Sequence, residues 1–524
     1  MFEDHETKES SADTALEAEL ARFAEEEAQR LGLRRKHYKE KINTDFRKSQ
    51  RAETTLWVSG LTMSQDLFVA ASLSGIGYKV KPLDVPDQTA LQLGKEFGNR
   101  GQCNPTYFTV GNLVKHLCRL RDEEGIPTAD ILANNIFLTA GACGPCRFGM
   151  YVTEFRKALR DAGFDGFRVL LFQQQGGIKQ ATGDELGLQV NAAFASALVR
   201  AMIVGDVLNL MGYRIRPYEV EPGATDAAIS RCRERLIHAF SNQKSIHYAL
   251  YQCRRDLERV EVDRSRPKPR VSVIGEFWAM TTEGDGNYHL QRFLEKEGAE
   301  VDIQPIANWF LFMVWENRFD TLRRMELKEE DGGRKGLKDK NVMQKMLGLA
   351  AADKAIRAIF HSYAAAIGLH GYHLADMDQI ARLAAPHHDL QVRGGEAHME
   401  VGKLVHFVED HVNHLTISVK PFGCMPSSGV SDGVQAAVTT KYPEALFLPI
   451  ETTGDGAVNV QSRIQMMLFK ARQKAKTELE TILQERGLEM AEFQSRLQRG
   501  RYRSPVSWPP HRVAGTAANL AAAV

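Results

Sequence analysis

Short strand-like runs alternate with helical segments twice along this chain, and that alternation restricts the fold more than any other feature. TTLWVSG, YKVKPLDV, NIFLTA and FRVLLF (residues 54–60, 78–85, 135–140 and 167–172) read as strands. Between them MSQDLFVAASLSGIG and YVTEFRKALRDAG read as helices, and a longer helical stretch runs from Asn191 to Met211. The rhythm restarts after the basic, proline-containing segment Arg264–Arg270, with strands RVSVIGEF and AEVDIQPI around the helix YHLQRFLEKEG. A helical run at Ala350–Ala366 and the strands LTISVKPF and ALFLPI complete the second set. Strands that alternate with helices form parallel sheets covered by helices on both faces, because a parallel connection must cross back over the sheet.

The expected organisation has four parts. Residues 1–52 form a helical N-terminal segment, with Leu16, Leu20 and Phe23 at helical spacing. Residues 53–263 form a first α/β domain, and residues 264–476 a second. Residues 477–524 supply a last helix, Glu478–Arg496, and a poorly ordered tail from Gly500. The charged stretch Leu327–Lys340 reads as a surface loop.

A length of 524 residues suits several domain-sized units rather than one. Basic and acidic residues balance, 67 against 66, which excludes a strongly basic nucleic-acid surface as the organising feature. The most apolar run, Ala192 to Met211, is interrupted by Arg200 and Asp206, so no membrane span is expected. The opening MFEDHETKESSADT is acidic and polar, unlike a secretory signal, so a cytoplasmic location is expected. In a reducing compartment the seven cysteines point to metal or redox chemistry before disulfides.

Cys143 and Cys146 form Cys-Gly-Pro-Cys directly after the strand NIFLTA, within reach of one metal ion or cluster. A thioredoxin-type dithiol, half of a zinc site and half of an iron–sulfur site are the competing readings. Cys103, in GQCNPTYF, and Cys424, in KPFGCMPSSG, also sit in loops beside Gly or Pro at the ends of elements. Loops at strand ends are where thiolates from separate strands can converge. Cys118, Cys232 and Cys253 fall within helical patterns and read as packing. Two glycine-rich segments, Thr281–Asn287 and Thr452–Asn459, each follow a strand; they suit either an anion held on backbone N–H groups or a plain Asp-Gly turn.

Nine of the sixteen histidines lie between His361 and His414. In RGGEAHMEVGK the glycines would let Glu396 and His398 face a cleft, and such a pair can relay protons. His411 and His414 lack an evident third ligand. The sequence carries no G-x4-G-K-[ST] phosphate loop, no G-x-S-x-G and no H-E-x-x-H.

GQCNPTYFTVGNLVKHL, ACGPCRFGMYVTEFRKAL, KPFGCMPSSGVSDGVQAAV and IETTGDGAVNVQSRIQMML resemble segments of the 2-hydroxyacyl-CoA dehydratase and benzoyl-CoA reductase superfamily. The resemblance runs in order from about Thr55 to Lys476, and its nearest branch is associated with the activases of 2-hydroxyglutaryl-CoA dehydratase. It implies Rossmann-like domains and a [4Fe–4S] cluster between them, with Cys103, Cys143, Cys146 and Cys424 as the matching ligand positions. It further implies a partner activase that hydrolyses ATP to deliver a low-potential electron, fed in turn by a ferredoxin or flavodoxin. An acyl-CoA-like substrate follows, reduced or dehydrated through a ketyl radical at its thioester carbonyl. A second cluster-bearing subunit or a homodimer is the expected assembly. Two departures stand out: four candidate thiols where the dehydratase subunits use three, and no nucleotide-binding half. The alternatives are a non-catalytic cluster-bearing electron carrier and a structural zinc protein.

Overall fold

The computed structural model describes residues 19–20, 22–32, 42–141, 146–173, 187–325, 341–392, 395–396, 398–428 and 432–524. It divides into residues 1–43 and 44–524. In the first unit residues 22–30 are helical, and Leu20 and Phe23 are exposed. Leu16 and most of the basic stretch after that helix lie outside the described residues, as does the expected loop at 327–340.

The second unit contains two four-stranded sheets, in the orders β2-β1-β3-β4 and β6-β5-β7-β8, with every pair parallel. The strands are β1 Thr55–Val58, β2 Lys79–Pro82, β3 Asn135–Gly141, β4 Arg168–Gln173, β5 Arg270–Gly275, β6 Glu300–Ile303, β7 Leu415–Pro421 and β8 Phe447–Thr452. Leu56 pairs with Val80 and Ile136, and Val273 pairs with Ile303 and Ile417. The two sheets therefore repeat one topology, each with its first strand beside its second and third. This is the expected α/β class with Rossmann-like parallel sheets. β7 is buried along its whole length, Thr416, Ser418 and Lys420 included, as a central strand covered on both faces must be.

One apolar cluster runs through both halves and includes Leu56, Val204 and Val271. The helix Ala192–Ile215 joins them, packing on the helix Met63–Gly75 and on β6. Gly205 permits this, because a Cβ there would meet the Gln65 Cγ at 2.2 Å. Beside it the Asp206 carboxylate accepts from the Ile306 and Ala307 amides at 2.9 and 2.8 Å and from Gln65 Nε2 at 2.9 Å. It thereby satisfies two orphan donors at the start of the helix Ile306–Arg324. Arg200 and Asp206 do not lower its hydropathy enough to rule out a span: by length and composition this helix could cross a membrane. Here 61 % of its most apolar window is buried inside the fold.

The C-terminal expectation needs correction. The last long helix is Ala457–Arg486, followed by Met490–Arg499. The tail beyond Gly500 ends in the helix Thr516–Ala523, where Leu520 and Ala521 are fully buried with Leu479 and Phe493. Small alanines allow that close packing, a property that composition alone reads as lack of a core.

Candidate functional site: a thiol and carboxyl crevice

The loops at the carboxyl ends of one sheet meet those of the other. The Asn104 amide donates to the Phe422 carbonyl at 3.0 Å, and Gln88 Nε2 to the Gly454 carbonyl at 2.8 Å. The Met63 amide donates to Glu283 at 2.6 Å, and the Phe108 and Trp278 rings pack 5.6 Å apart. In open α/β sheets the carboxyl ends of the strands, where the strand order reverses, form the binding crevice. In each sheet that point lies between the first and third strands, β1 and β3 or β5 and β7.

The predicted cysteines are at these ends. Cys146 follows β3, and Cys424 follows β7, so they hold equivalent places in the two repeats. Cys103 is the residue that precedes the first turn of the helix Asn104–Asp122, with Pro105 inside that turn. Cys143 lies outside the described residues. Cys103 and Cys424 are buried and Cys146 is half-buried. Three contacts draw the loops together. Arg147 Nη1 donates to the Gly101 carbonyl, joining the Cys146 loop to the Cys103 loop. The Tyr151 hydroxyl lies 3.0 Å from Cys103 Sγ. Gly423, at φ +76°, presses on Cys103, since a Cβ there would stand 3.3 Å from the Cys103 Cα.

Two carboxyls share this crevice. Glu276 directly follows β5 and accepts from the Ala279 amide at 2.8 Å, and Glu396 accepts from the Phe277 amide at 2.9 Å. Burial raises Glu276 and pushes Glu396 well above the usual carboxylate range, and each of Glu276 and Glu400 raises Glu396 further. Cys146 is pushed up to about 12 by burial, opposed by the Phe148 amide and reinforced by Glu276, Glu396 and Cys103. Burial raises Cys424 as well, with Glu276 and Glu396 adding to it and a hydrogen bond to Ser427 Oγ at 3.2 Å opposing. Tyr151 is raised by burial, then by Cys103 and Glu276. One electrostatic neighbourhood thus contains three thiols, a phenol and two protonation-prone carboxyls.

Without a cation, such surroundings keep the Cys146 and Cys424 thiols protonated. As donors they are soft ligands of the kind that suits iron–sulfur clusters or zinc, and bound metal would offset the acidic neighbours. The donor set therefore fits either group. Cys103 and Cys424 take hydroxyl partners, Cys103 lying 3.1 Å from Thr106 Oγ1, and among the described residues no three His, Cys, Asp or Glu are grouped to hold a metal ion.

The other expected residues divide. Glu396 reaches the crevice, whereas the His398 ring packs on the aromatic side, 4.4 Å from Trp315 and 5.3 Å from Phe312. Arg393 lies outside the described residues. His414 Nε2 stands 3.4 Å from a Glu478 carboxylate oxygen. Cys232 and Cys253 are fully buried where two helices cross, and Cys118 is partly covered. In the second glycine-rich turn the amides of Thr453, Gly454 and Gly456 donate to the Tyr288 hydroxyl at 2.8, 3.2 and 3.2 Å. That turn's donors are thus taken by a side chain next to the first glycine-rich segment.

Glu276 and Tyr151 escaped the sequence reading. Glu276 had a signal, a charged residue directly after the Gly275 that ends a buried strand. Tyr151 had none, being one tyrosine at the start of an amphipathic helix. No protein-family model matches the chain, and no curated protein matches it in sequence.

Proposed function

We propose that this chain is an iron–sulfur protein of the 2-hydroxyacyl-CoA dehydratase type. In this reading Cys103, Cys143, Cys146 and Cys424 hold a [4Fe–4S] cluster between its two α/β halves. A bound cluster supplies one-electron chemistry at low potential. The electron comes from a partner activase that hydrolyses ATP and goes to an acyl-CoA-like substrate.

The observation that carries this reading is the convergence of Cys103, Cys146 and Cys424, distant in sequence, on one crevice between two parallel sheets. The chain's own contribution is twofold: its thiols bind, and Glu276 and Glu396 hold protons at their carboxyl oxygens beside the thiols. Of the expected proton-relay pair, Glu396 does this work, while His398 supports the neighbouring wall through Trp315.

The test is anaerobic purification followed by iron, acid-labile sulfide and zinc analysis, with EPR of the reduced protein. About four irons and four sulfides per chain are expected. Stoichiometric zinc without sulfide would establish the structural zinc alternative, and a protein with neither would overturn both. Turnover with and without an activase separates a dehydratase or reductase from an electron carrier. The purified chain alone should not hydrolyse ATP.

A further inference from the structure

One cavity is lined by none of Cys103, Cys146 and Cys424. It has a volume of about 290 Å3 and is lined from both halves of the chain. Arg216, Arg233 and Tyr213 come from the segment between the two sheets, and Glu283, Gln291 and Arg292 from the region after β5. Cavities at such junctions are where small ligands are held, because two rigid elements can present groups to one volume.

The three arginines are not equivalent. Arg216 is engaged by Glu295 at 2.8 and 3.1 Å and by Asp226 at 2.9 Å. Arg292 is engaged by Asp226 at 2.9 and 3.1 Å. Among the described residues the Arg233 guanidinium makes a single hydrogen bond, from Nε to Ser64 Oγ at 2.9 Å, so its two terminal nitrogens are left over. No ion pair joins it to Glu283 among the described residues. Burial lowers the affinity of Arg233 for its proton; Glu283 opposes this, and the charges of Arg216 and Arg292 add to it.

Two polar side chains beside it are almost wholly buried. Tyr213 is 6 % exposed and Gln291 8 %, and neither side chain has a hydrogen-bond partner among the described residues. Their polar ends keep some exposure, so they open on the cavity, where water or a ligand can satisfy them. A guanidinium edge, a phenol and a carboxamide together offer donors, and a guanidinium edge matches the two oxygens of a carboxylate or phosphate.

We infer that this cavity binds an oxyanion, the phosphate or carboxylate group of a small molecule. The terminal nitrogens of Arg233 hold it, with the Tyr213 hydroxyl and the Gln291 carboxamide completing the shell. The site does not depend on the cluster reading. The bound anion would neutralise the charge of Arg233 and bridge the two halves of the fold. Glu283, which faces the same space, competes with it.

Isothermal titration of the full chain with inorganic phosphate, acetate and succinate, at constant ionic strength in chloride, tests this. Saturable binding is expected, weakened at least about tenfold in Arg233→Gln, the loss that goes with a charged hydrogen-bonding partner. Binding of phosphate alone assigns a phosphate ester, and binding of the carboxylates alone assigns a carboxylate. No saturable binding of any of the three, or equal binding by Arg233→Gln, overturns the site. Should Arg233→Gln fail to fold, Glu283→Gln decides: tighter binding than wild type supports the site, and unchanged or weaker binding overturns it.

Discussion

The Asn104 amide donates to the Phe422 carbonyl at 3.0 Å, and this backbone bond ties the start of the Cys103 helix to the loop that bears Cys424. A main-chain bond between residues more than three hundred positions apart fixes the two thiols relative to one another whatever their ligation state. The crevice is thus organised by backbone as well as by any group that its side chains bind.

Gly423 makes that approach feasible. It sits at φ +76°, and a Cβ would meet the Cys103 Cα and the Gln102 carbonyl oxygen at 3.3 Å. Gly423→Ala should cost about 1–2 kcal/mol from the left-handed backbone alone, read by urea denaturation. It should also lower bound iron, because the Cys103 and Cys424 loops are pushed apart. Unchanged iron content would show that the two loops are not jointly required.

Glu396 raises the pKa of both Cys146 and Cys424, so its neutral replacement should lower those pKa values and ease ionisation. In the metal-free protein, Glu396→Gln should move the alkylation profile of Cys146 to lower pH. The sign follows because a thiolate near one fewer negative charge is easier to form. Rates of iodoacetamide labelling against pH, followed by mass spectrometry, give the shift. A shift to higher pH would contradict the shared neighbourhood.

Asp206 satisfies two amides at the start of the helix Ile306–Arg324 and the Gln65 carboxamide. Asp206→Ala should destabilise the fold by about 2–4 kcal/mol, since buried donors lose their acceptor. The loss should appear in chemical denaturation with the secondary structure of the native state intact by circular dichroism.

The Tyr288 hydroxyl takes three amide bonds from the turn before the helix Ala457–Arg486. Tyr288→Phe should cost about 1–3 kcal/mol and raise hydrogen exchange at Thr453, Gly454 and Gly456. Unaltered exchange at those amides would mean that the turn holds itself.

Leu520 is fully buried near the end of the chain. Leu520→Ala should destabilise by about 2–4 kcal/mol in thermal or urea unfolding, the cost of a core leucine rather than of a loose tail.

The sequence by itself determined the local elements and the class of fold. The apolar runs of β3, β5 and β7 and the helices between them are set by short-range pattern, and a parallel connection has few ways to close. The same logic put Cys146 and Cys424 at strand ends, because Cys-Gly-Pro-Cys and Phe-Gly-Cys begin where the apolar run stops. It failed at the C-terminus, where an alanine-rich helix finds its core only against Leu479 and Phe493, far back in the chain. Tertiary structure alone decided which groups share a neighbourhood. Glu276 and Tyr151 meet the thiols, His398 turns to Trp315, and Tyr288 fills the second glycine-rich turn across contacts that no local periodicity encodes. Periodicity reports which face of an element is buried; only the packing of one sheet's loops on the other's says what that face is buried against.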